Sequence, residues 1–469
     1  MFISRTIKCF RCLSCLRRRA GWPYIGIAII VGLALGLRFW QLGRFDALVF
    51  DEVYFVNFAE RYRQGIAPLD AHPPLGKYII AASIQIATWL KFDSETTAIG
   101  GSPFGYRQAN ALFGSLIPVV VIYLSHTIAG QSSRLKTAHQ WIFALMSGLF
   151  VSIDGLFIVE SRYALLNVYV VFFGLLSHCL WLKKLPVASG VSLGMAITTK
   201  WNGLGYLLSL VIWETHRAIA RKSLSRQQKD KTRESTAKKL TMLVLIAFLT
   251  YSLIWWPHLY LVKENIFSVH AYLIQFHQQI GAGGHSACSK WYSWPLLIRP
   301  ITYWYSSTHS QSYTVSNLGN PALWLFSTSA IFLLSINFLL QAKRSLLNRL
   351  STAKSAPRST ALPTSANQPI NGDLTAYLAI AYLCNWIPWL VVQRCTFNYL
   401  YMPAAIFSFM ALAYLLSIWL TSPAKAHRVS ASIVLSLIAI AFIFWLPLTL
   451  GLPLSFEQLQ NRWLLKSWI

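Results

Sequence analysis

The sequence predicts an all-α polytopic membrane protein, and three observations carry that prediction. Of its 469 residues, 55% are hydrophobic and only 12% are charged, whereas soluble domains are about one-quarter charged. The apolar residues form runs long enough to span a bilayer. The 41 Lys and Arg, against 15 Asp and Glu, cluster between these runs, which is typical of cytoplasmic loops. Because no folded basic domain is evident, the net charge of +26 does not indicate a nucleic-acid partner.

The N-terminal segment predicts a membrane anchor. Residues 1–21 are basic and precede an apolar run from Trp22 to Trp40. A signal peptide has the same order, but no convincing small-x-small cleavage site follows, and the run is long enough to span the bilayer. We therefore expect a retained anchor, with residues 1–21 forming a cytoplasmic tail.

The seven cysteines give no clear redox signature. Cys9, Cys12 and Cys15 have a C-x2-C-x2-C spacing that matches part of an iron–sulfur ligand set. No fourth cysteine lies nearby and three arginines follow, so cysteines without a ligand role are favoured. The other cysteines show no disulfide framework; they are Cys179, Cys288, Cys384 and Cys395.

Two interfacial helices are predicted in the first outer loop, residues 41–105. From Phe50 to Tyr62 the apolar side chains share one helical face, as in a helix that lies in the membrane interface. Pro73 and Pro74 can open a second helix through residue 90, although this segment could instead cross the membrane. The basic residues after the next apolar run should be cytoplasmic. The chain must then cross the membrane an odd number of times between the first interfacial helix and these basic residues. A single crossing satisfies this if the second helix lies on the membrane surface.

The remaining apolar runs and basic clusters predict eleven spans, with every basic cluster on the cytoplasmic side. The expected spans are residues 22–40, 106–129, 141–159, 163–182, 186–199, 202–213, 240–257, 322–340, 374–392, 397–420 and 433–450. Between them lie a basic cytoplasmic loop at 217–239, a long outer loop at 258–320 and a cytoplasmic linker at 341–373, with an outer tail at 451–469. Two short spans would form a hairpin with Lys200 at its outer tip. Residues 22–450 thus form one transmembrane domain without an evident internal repeat.

Scarce acidic residues mark the first outer loop as a candidate site. Asp51 and Glu52 form an acidic doublet, and the predicted topology places further polar side chains on the same outer side. These are His72, Lys77, Arg107, Glu160, Arg162, Lys200 and Arg394. Ionisable groups at membrane depth are costly, so they pair or serve function. A carboxylate base with several cations suits transfer from a phosphate-bearing lipid: the base takes a proton from an acceptor hydroxyl, and the cations stabilise the departing phosphate.

Each of these side chains also has a structural interpretation. Asp51 and Glu52 could cap the N-terminus of the interfacial helix, where acids are favourable. His72 could be a turn residue before two prolines, and Arg162 and Arg394 could be snorkelling interfacial anchors. The lysine at the hairpin tip could be an ordinary loop residue, and the loop tryptophans could form an interfacial belt. The grouping of all these residues on one outer side favours a functional site.

Six segments in a fixed order carry a resemblance to a known family. They read FDEVYF at 50–55, DAHPPLGK at 70–77, SRYALL at 161–166, TKWNGL at 199–204, SKWYSWP at 289–295 and GNP at 319–321. With them the chain resembles, from about residue 25 to 450, the protein O-mannosyltransferases of bacterial type. These are polyprenyl-phosphate-mannose–protein mannosyltransferases with the GT-C membrane fold. The family topology of eleven spans with a cytoplasmic N-terminus agrees with the count above.

The resemblance implies a reaction and a set of site residues. Mannose would pass from polyprenyl-phosphate-mannose to a Ser or Thr hydroxyl of a secreted protein, with inversion and without a metal or cofactor. Asp51 would be the catalytic base and Glu52 its supporting neighbour, while Arg162, Lys200 and Arg394 are the candidates for the phosphate. The substrate-binding candidates together are His72, Lys77, Arg107, Arg162, Lys200, Trp201, Trp291, Arg394 and Tyr399. The partners would be the donor lipid, the acceptor protein and membrane lipids; the sequence does not indicate an oligomeric state.

Two departures from the family pattern concern specificity. Asn167 stands where the family often has Asp, and Leu400 where it often has His. The long outer loop has no room for the β-trefoil domain of eukaryotic members, which favours a bacterial plasma membrane with the active site on the extracytoplasmic side. Two other functions stay open: a related GT-C enzyme with a lipid or glycan acceptor, and a transporter or lipid flippase. The second is disfavoured because the polar residues cluster at one face and no inverted repeat is evident.

Overall fold

The computed structural model describes residues 21–91, 101–131, 135–220, 226–281, 286–352 and 372–468. Helices make up most of this chain, so the prediction of an all-α membrane fold is confirmed. The basic tail up to residue 20, with its three cysteines, lies outside the described residues. Residues 353–371 of the predicted linker also lie outside the described residues.

The helices follow the predicted apolar runs closely. They are α1 Trp22–Phe39, α2 Glu52–Arg63, α3 Leu75–Trp89, α4 Pro103–Gly130, α5 Thr137–Ile153, α6 Gly155–Arg162, α7 Asn167–Leu182, α8 Pro186–Thr199, α9 Leu204–Ala220, α10 Arg226–Val262, α11 Ile266–Gln279, α12 Pro321–Thr352, α13 Gly372–Trp386, α14 Met402–Leu420, α15 Lys425–Leu450 and α16 Phe456–Gln460. Short 3-10 helices occupy Trp201–Gly203, Trp291–Leu296, Ile387–Val391, Asn398–Tyr401 and Lys466–Trp468. Both predicted helices of the first outer loop are present, as α2 and α3.

Long apolar helices support a multi-pass membrane protein. Among the described residues, seven helices are long and apolar enough to cross a bilayer, and the pair α5 and α6, bent by 59°, would make an eighth. Two further apolar helices, α7 and α8, are shorter. Each of the eleven predicted spans contains a helix, while the count of eleven crossings stays a prediction.

The bend between α5 and α6 has a clear cause in the sequence. Asp154 caps α6 by accepting a hydrogen bond from the Phe157 N–H at 3.3 Å. Its second oxygen accepts from the Asn320 N–H at 2.9 Å and the Trp324 indole at 2.7 Å. Gly319 is required beside this indole, since a Cβ there would lie 2.2 Å from Trp324 Nε1. The GNP segment therefore serves to join α12 to the bend.

Small residues bring α8 against α10. A Cβ added at Gly194 would lie 2.6 Å from Thr250 Cβ and 2.7 Å from the Ala247 carbonyl. Gly190, one turn earlier, is equally close to Ile246. This small-xxx-small spacing lets two membrane helices approach closely. It fixes the end of α8, where Lys200 follows.

A small sheet joins the outer loop to the C-terminal tail. Strands β1 (Thr302–Ser307), β2 (Ser312–Ser316) and β3 (Pro453–Leu454) form an antiparallel sheet in that order within the described residues. The Trp468 indole, in the tail, donates to the Leu297 carbonyl at 2.7 Å. The predicted tail at 451–469 therefore packs, as far as residue 468, on the loop that was predicted to lie outside.

One expectation about the cysteines is wrong. Cys288 and Cys395 form a disulfide with their Cα atoms 5.2 Å apart, across a sequence separation of 107 residues. Spacing alone could not reveal the pair, because each partner lies in a different outer segment. Within the described chain, Cys179 and Cys384 are free and buried.

Candidate active site

A sharp turn presents Asp51 at the start of α2. Phe50, just before it, has φ of +53°, a left-handed conformation that bulky residues rarely adopt. Its ring stacks on Tyr303 at 4.1 Å and meets Tyr399 edge-on at 6.2 Å. Asp51 is the N-cap residue of α2, as the helix-cap interpretation has it, but in the described chain its side chain forms no capping hydrogen bond. Its charge acts on Tyr399.

Glu52 plays a different part from its neighbour. Its carboxylate is fully buried and pairs with Arg107, at 2.9 Å to Nε and 2.8 Å to Nη2. It also accepts from the Ala164 N–H and the Val49 N–H, both at 2.8 Å. Every oxygen of Glu52 is thus engaged twice. The residue ties α2 to α4 and to the segment after α6.

Arg107 continues this network into the first outer loop. Its Nη1 donates to the carbonyls of Leu42 at 3.2 Å and Phe45 at 3.0 Å, and its Nη2 to that of Ala47 at 2.8 Å. The side chain is fully buried. Arg107 therefore shapes the loop that leads to Asp51 rather than opening onto a cavity.

Lys200 lies between α8 and the Trp201–Gly203 helix and is only 5% exposed. Its Nζ donates to Asn167 Oδ1 at 3.0 Å and lies 5.2 Å from the centre of the Tyr399 ring. Burial lowers the pKa of Lys200 to about 8, against the opposing effects of Asp51 and then Glu160. This electrostatic coupling places Lys200, Asp51 and Glu160 in one cluster.

Glu160, one of the polar residues predicted on the outer side, anchors a buried hydrogen-bond network. It accepts hydrogen bonds from the Tyr303 hydroxyl and from Asn167 Nδ2, the latter at 3.0 Å. Asn317 Nδ2 in turn donates to the Tyr303 hydroxyl at 3.1 Å and to Asn398 Oδ1 at 2.8 Å. Asn167 therefore bridges Glu160 to Lys200. The aromatic outer loop signalled Tyr303, but nothing in the sequence signalled Asn317.

Lys77 and His72 hold the turn before α3. Lys77 Nζ pairs with Asp70 and donates to the His72 carbonyl at 2.7 Å, so its charge is used within the loop. The His72 ring lies 5.8 Å from that of His277. Burial, followed by the charges of Lys200 and Lys77, holds the pKa of His72 well below its usual range. The ring is therefore neutral near pH 7.

Arg162 is held by backbone carbonyls, and its charge interacts with that of Arg107. Its guanidinium is 2% exposed and donates from Nη1 to the carbonyls of Leu37 at 2.9 Å, Arg38 at 3.2 Å and Trp40 at 2.8 Å. These carbonyls end α1, whose last turn leaves them without helical partners. In this position Arg162 ties α6 to the end of the first span.

Of the two predicted tryptophans, one lines a cavity and the other packs behind it. Trp201 donates its indole N–H to the Tyr251 hydroxyl at 3.1 Å and lines a large cavity. Trp291 packs against Trp386 with ring centres 4.9 Å apart, and its carbonyl accepts from the Trp386 indole at 3.0 Å. Trp291 thus supports a cavity wall.

A cavity of about 1240 Å³ opens beside this cluster. Its polar lining residues include His72, Lys200 and Arg394. It is also lined by one apolar face of α9, since the α9 lining residues have the i, i+3, i+4, i+7 spacing of a helical stripe. They are Leu204, Leu207, Leu208 and Val211. Such a lining can accept both a phosphate and a hydrocarbon chain.

Both departures from the family pattern lie at this site. Asn167 is the residue that contacts Lys200, and Leu400 lines the cavity and is 5% exposed. Among the described residues, no group of three or more His, Cys, Asp or Glu side chains could hold a metal ion.

Family models place the chain among known proteins. One, described as dolichyl-phosphate-mannose-protein mannosyltransferase, matches residues 28–262. A second, described as the C-terminal four TMM region of protein-O-mannosyltransferase, matches residues 262–468. The chain belongs to the protein O-mannosyltransferase family. The predicted family and enzyme class, a membrane glycosyltransferase, are confirmed.

Curated protein O-mannosyltransferases match over different lengths. The polyprenol-phosphate-mannose–protein mannosyltransferase of Corynebacterium glutamicum is 24% identical over 531 residues, covering 94% of this chain and 92% of that relative. Its namesake from Mycolicibacterium smegmatis is 27% identical over 394 residues, covering 67% of this chain and 72% of that relative. Dolichyl-phosphate-mannose–protein mannosyltransferase 1 of Candida albicans is 29% identical over 214 residues. That match covers 40% of this chain and 23% of the relative, so the chain spans about a quarter of its length.

Solved structures share the fold. The S. cerevisiae protein O-mannosyltransferase complex bound to the sugar donor has a TM-score of 0.74 at 15% identity, covering 97% of this chain and 94% of that one. ArnT from Cupriavidus metallidurans bound to undecaprenyl phosphate has a TM-score of 0.51 at 14% identity, covering 94% and 78%. At these identities the likeness shows the fold alone. The predicted GT-C architecture is confirmed.

Proposed function

We propose that this protein O-mannosyltransferase family member transfers mannose from a polyprenyl-phosphate-mannose donor to Ser or Thr hydroxyls of secreted proteins. The observation that carries the proposal is the electrostatic coupling of Asp51 to Lys200, because Lys200 lines a cavity that is also lined by an apolar face of α9. A lipid phosphate needs cations for its head and apolar surface for its chain. The names of the curated relatives support the choice of mannose.

The reaction would be a single displacement at mannose C1. Asp51 takes the proton from the acceptor hydroxyl as its oxygen attacks C1. The bond from C1 to the phosphate oxygen breaks, and polyprenyl phosphate leaves with the bonding electrons. Lys200 and Arg394, both on the cavity wall, stabilise the negative charge that develops on the phosphate. The anomeric configuration of mannose inverts.

The other predicted site residues fall into two groups: those that would contact the substrates and those that would hold the contacting residues in place. His72, Trp201 and Tyr399 are proposed to contact the substrates, since they line the cavity or lie beside Lys200. The remaining five hold these groups in place through their own buried partners. They are Glu52, Lys77, Arg107, Arg162 and Trp291.

The proposed setting is a bacterial plasma membrane with the site on its outer side and the N-terminus in the cytoplasm. The basic clusters favour that orientation. The disulfide between Cys288 and Cys395 also supports it, because disulfides persist in oxidising compartments. Both cysteines belong to segments predicted to be outside.

We expect the donor kcat/KM to fall as pH rises through about 8, the pKa of Lys200. The protonated amine binds the phosphate, so activity is present below this pKa and lost above it. The decline should approach about tenfold per pH unit, as for loss of one essential proton. The measurement is a pH profile of initial rates at low donor concentration.

The matched variant for the pH profile is Lys200→Arg. Arginine stays protonated over the whole range, so the alkaline limb should move above pH 10 or vanish. If the alkaline fall in kcat/KM stays at the same pH in Lys200→Arg, it reports the titration of another group.

Asn167→Leu should reduce donor kcat/KM by about tenfold, the effect of one lost hydrogen bond to a charged group. The substitution removes the amide that joins Lys200 to Glu160 while keeping the side-chain volume. Asn337→Leu in α12, whose side chain accepts from Gln341 at 3.0 Å, is the matched control and should leave the rate unchanged. Equal rates in Asn167→Leu and Asn337→Leu would show that Asn167 does not contribute to the site.

A cellular experiment tests the proposed acceptor. Strains that carry the wild-type chain or Asp51→Asn are compared by mass spectrometry of their secreted proteins and envelope lipids. Hexose on Ser and Thr that disappears with Asp51→Asn is the expected result. Unchanged Ser and Thr glycans together with altered envelope lipids would instead favour a GT-C enzyme with a lipid or glycan acceptor.

A further inference from the structure

The disulfide joins two outer segments at the edge of the large cavity. Cys288 precedes the Trp291–Leu296 helix, and Cys395 lies between the Ile387–Val391 and Asn398–Tyr401 helices. In the described chain, residues 392–397 belong to no helix or strand. Their position therefore depends on side-chain and backbone contacts with neighbouring segments.

Hydrogen bonds surround the disulfide on both sides. The Ser289 N–H donates to the Thr396 carbonyl at 2.8 Å, and the Thr396 hydroxyl donates to the Ser289 carbonyl at 2.6 Å. The Cys395 N–H donates to the Gly281 carbonyl at 3.2 Å. Ser289, Thr396 and Cys395 are all buried. The covalent bond and these hydrogen bonds thus form one clamp, which we define as residues 288–289 with 395–396.

The clamp lies directly beside a cation of the site. Arg394 precedes Cys395, donates to the Cys395 carbonyl at 3.0 Å and lines the cavity. Gly281, whose carbonyl accepts from Cys395, lines the same cavity. Tyr399, on the other side of the clamp, contacts Lys200. A shift of the clamp would move the Arg394 guanidinium relative to Lys200, which lines the same cavity.

We infer that Cys288 and Cys395 are positioning residues whose disulfide sets Arg394 for the phosphate of the lipid donor. This inference rests on the proposed function, which assigns the donor phosphate to Lys200 and Arg394. It makes donor affinity depend on an oxidised bond outside the membrane. Reduction would return two thiols, with a dithiol reductant supplying two electrons and two protons and becoming a cyclic disulfide.

The test compares Cys288→Ser/Cys395→Ser with wild type and with Cys179→Ala, which removes a buried free thiol that does not line the cavity. We expect the donor KM to rise about tenfold in the paired variant, the effect of a misplaced charge-assisted contact. We also expect kcat to fall, because Arg394 stabilises the charge on the departing phosphate. Cys179→Ala should match wild type. A merely structural role would lower the yield of active protein and leave KM unchanged, and that outcome overturns the inference.

Two further measurements separate the clamp from other effects. Dithiothreitol should raise the KM of wild type to that of the paired variant and leave the variant unchanged. Combining Arg394→Gln with the paired variant should add little to the KM of Arg394→Gln alone, because the clamp acts through that side chain. Additive effects would contradict the assignment to Arg394. Non-reducing peptide mapping that finds both thiols free would contradict the bond itself.

Binding of polyprenyl phosphate, measured by native mass spectrometry, distinguishes failure of this inference from failure of the proposed function. If wild type binds the lipid phosphate but transfers no mannose, the proposed function fails while the clamp is still tested by the affinity of the paired variant. Equal affinity in wild type and the paired variant overturns the clamp. No binding in wild type overturns both.

Discussion

Mannose transfer falls by roughly 10²–10⁴-fold when Asp51 is replaced by asparagine, the range for loss of a general base. Asparagine keeps the shape of the side chain but cannot take the proton of the acceptor hydroxyl. Because Lys200 and the apolar face of α9 remain, donor binding should change little. The loss therefore belongs to the chemical step, measured as single-turnover transfer with enzyme in excess over the donor.

Asp46→Asn is the matched control for this prediction. Asp46 lies in the same outer loop, five residues before Asp51, and is exposed. Its variant should transfer mannose at the wild-type rate. A rate for Asp51→Asn within a few-fold of that for Asp46→Asn would exclude Asp51 as the base.

Breaking the Glu52–Arg107 pair should cost about 3–5 kcal/mol of stability, the effect of leaving a buried charge without its partner. Glu52→Gln keeps the volume but leaves the fully buried Arg107 guanidinium uncompensated. The free energy of unfolding is measured by denaturant titration of the purified protein in micelles. Activity per folded molecule should fall less than in Asp51→Asn, because Glu52 positions the loop and does not accept the proton.

A surface pair on the same helix provides the control. Glu60 and Arg63 on α2 form a bridge at 2.7 Å with both side chains 23% exposed. Exposed bridges contribute about 0–1 kcal/mol, so Glu60→Gln should unfold almost as wild type does. Equal destabilisation by Glu52→Gln and Glu60→Gln would contradict a supporting role for the buried pair.

The acidic doublet illustrates how far sequence reasoning reaches. Scarcity of acids and the topology of the basic clusters singled out Asp51 and Glu52 and placed them with Lys200 on one side. Only the family resemblance implied their division of labour, because the physical reason depends on which carboxylate faces Arg107. The 55-residue separation of Glu52 and Arg107 is closed only in the folded chain, where α3 packs against both α2 and α4.

Other features had no signal in the sequence at all. The sheet depends on pairing β2 with β3 near the C-terminus. Neither strand has an alternation of apolar and polar residues strong enough to predict it from sequence. The disulfide joins cysteines 107 residues apart that no motif connects. Arg162 looked like a phosphate ligand because it is a cation near the outer face, but its carbonyl partners at the end of α1 become visible only in the folded chain.

The most direct measurement of the proposed function uses purified protein in lipid nanodiscs, labelled polyprenyl-phosphate-mannose and a Thr-containing peptide from a secreted protein. We expect one hexose on the Thr side chain, with mannose inverted relative to the donor and no transfer to the same peptide with Thr replaced by Ala. Asp51→Asn should give no product above background. Label that enters lipid or glycan acceptors while the peptide stays unmodified would contradict protein O-mannosyl transfer.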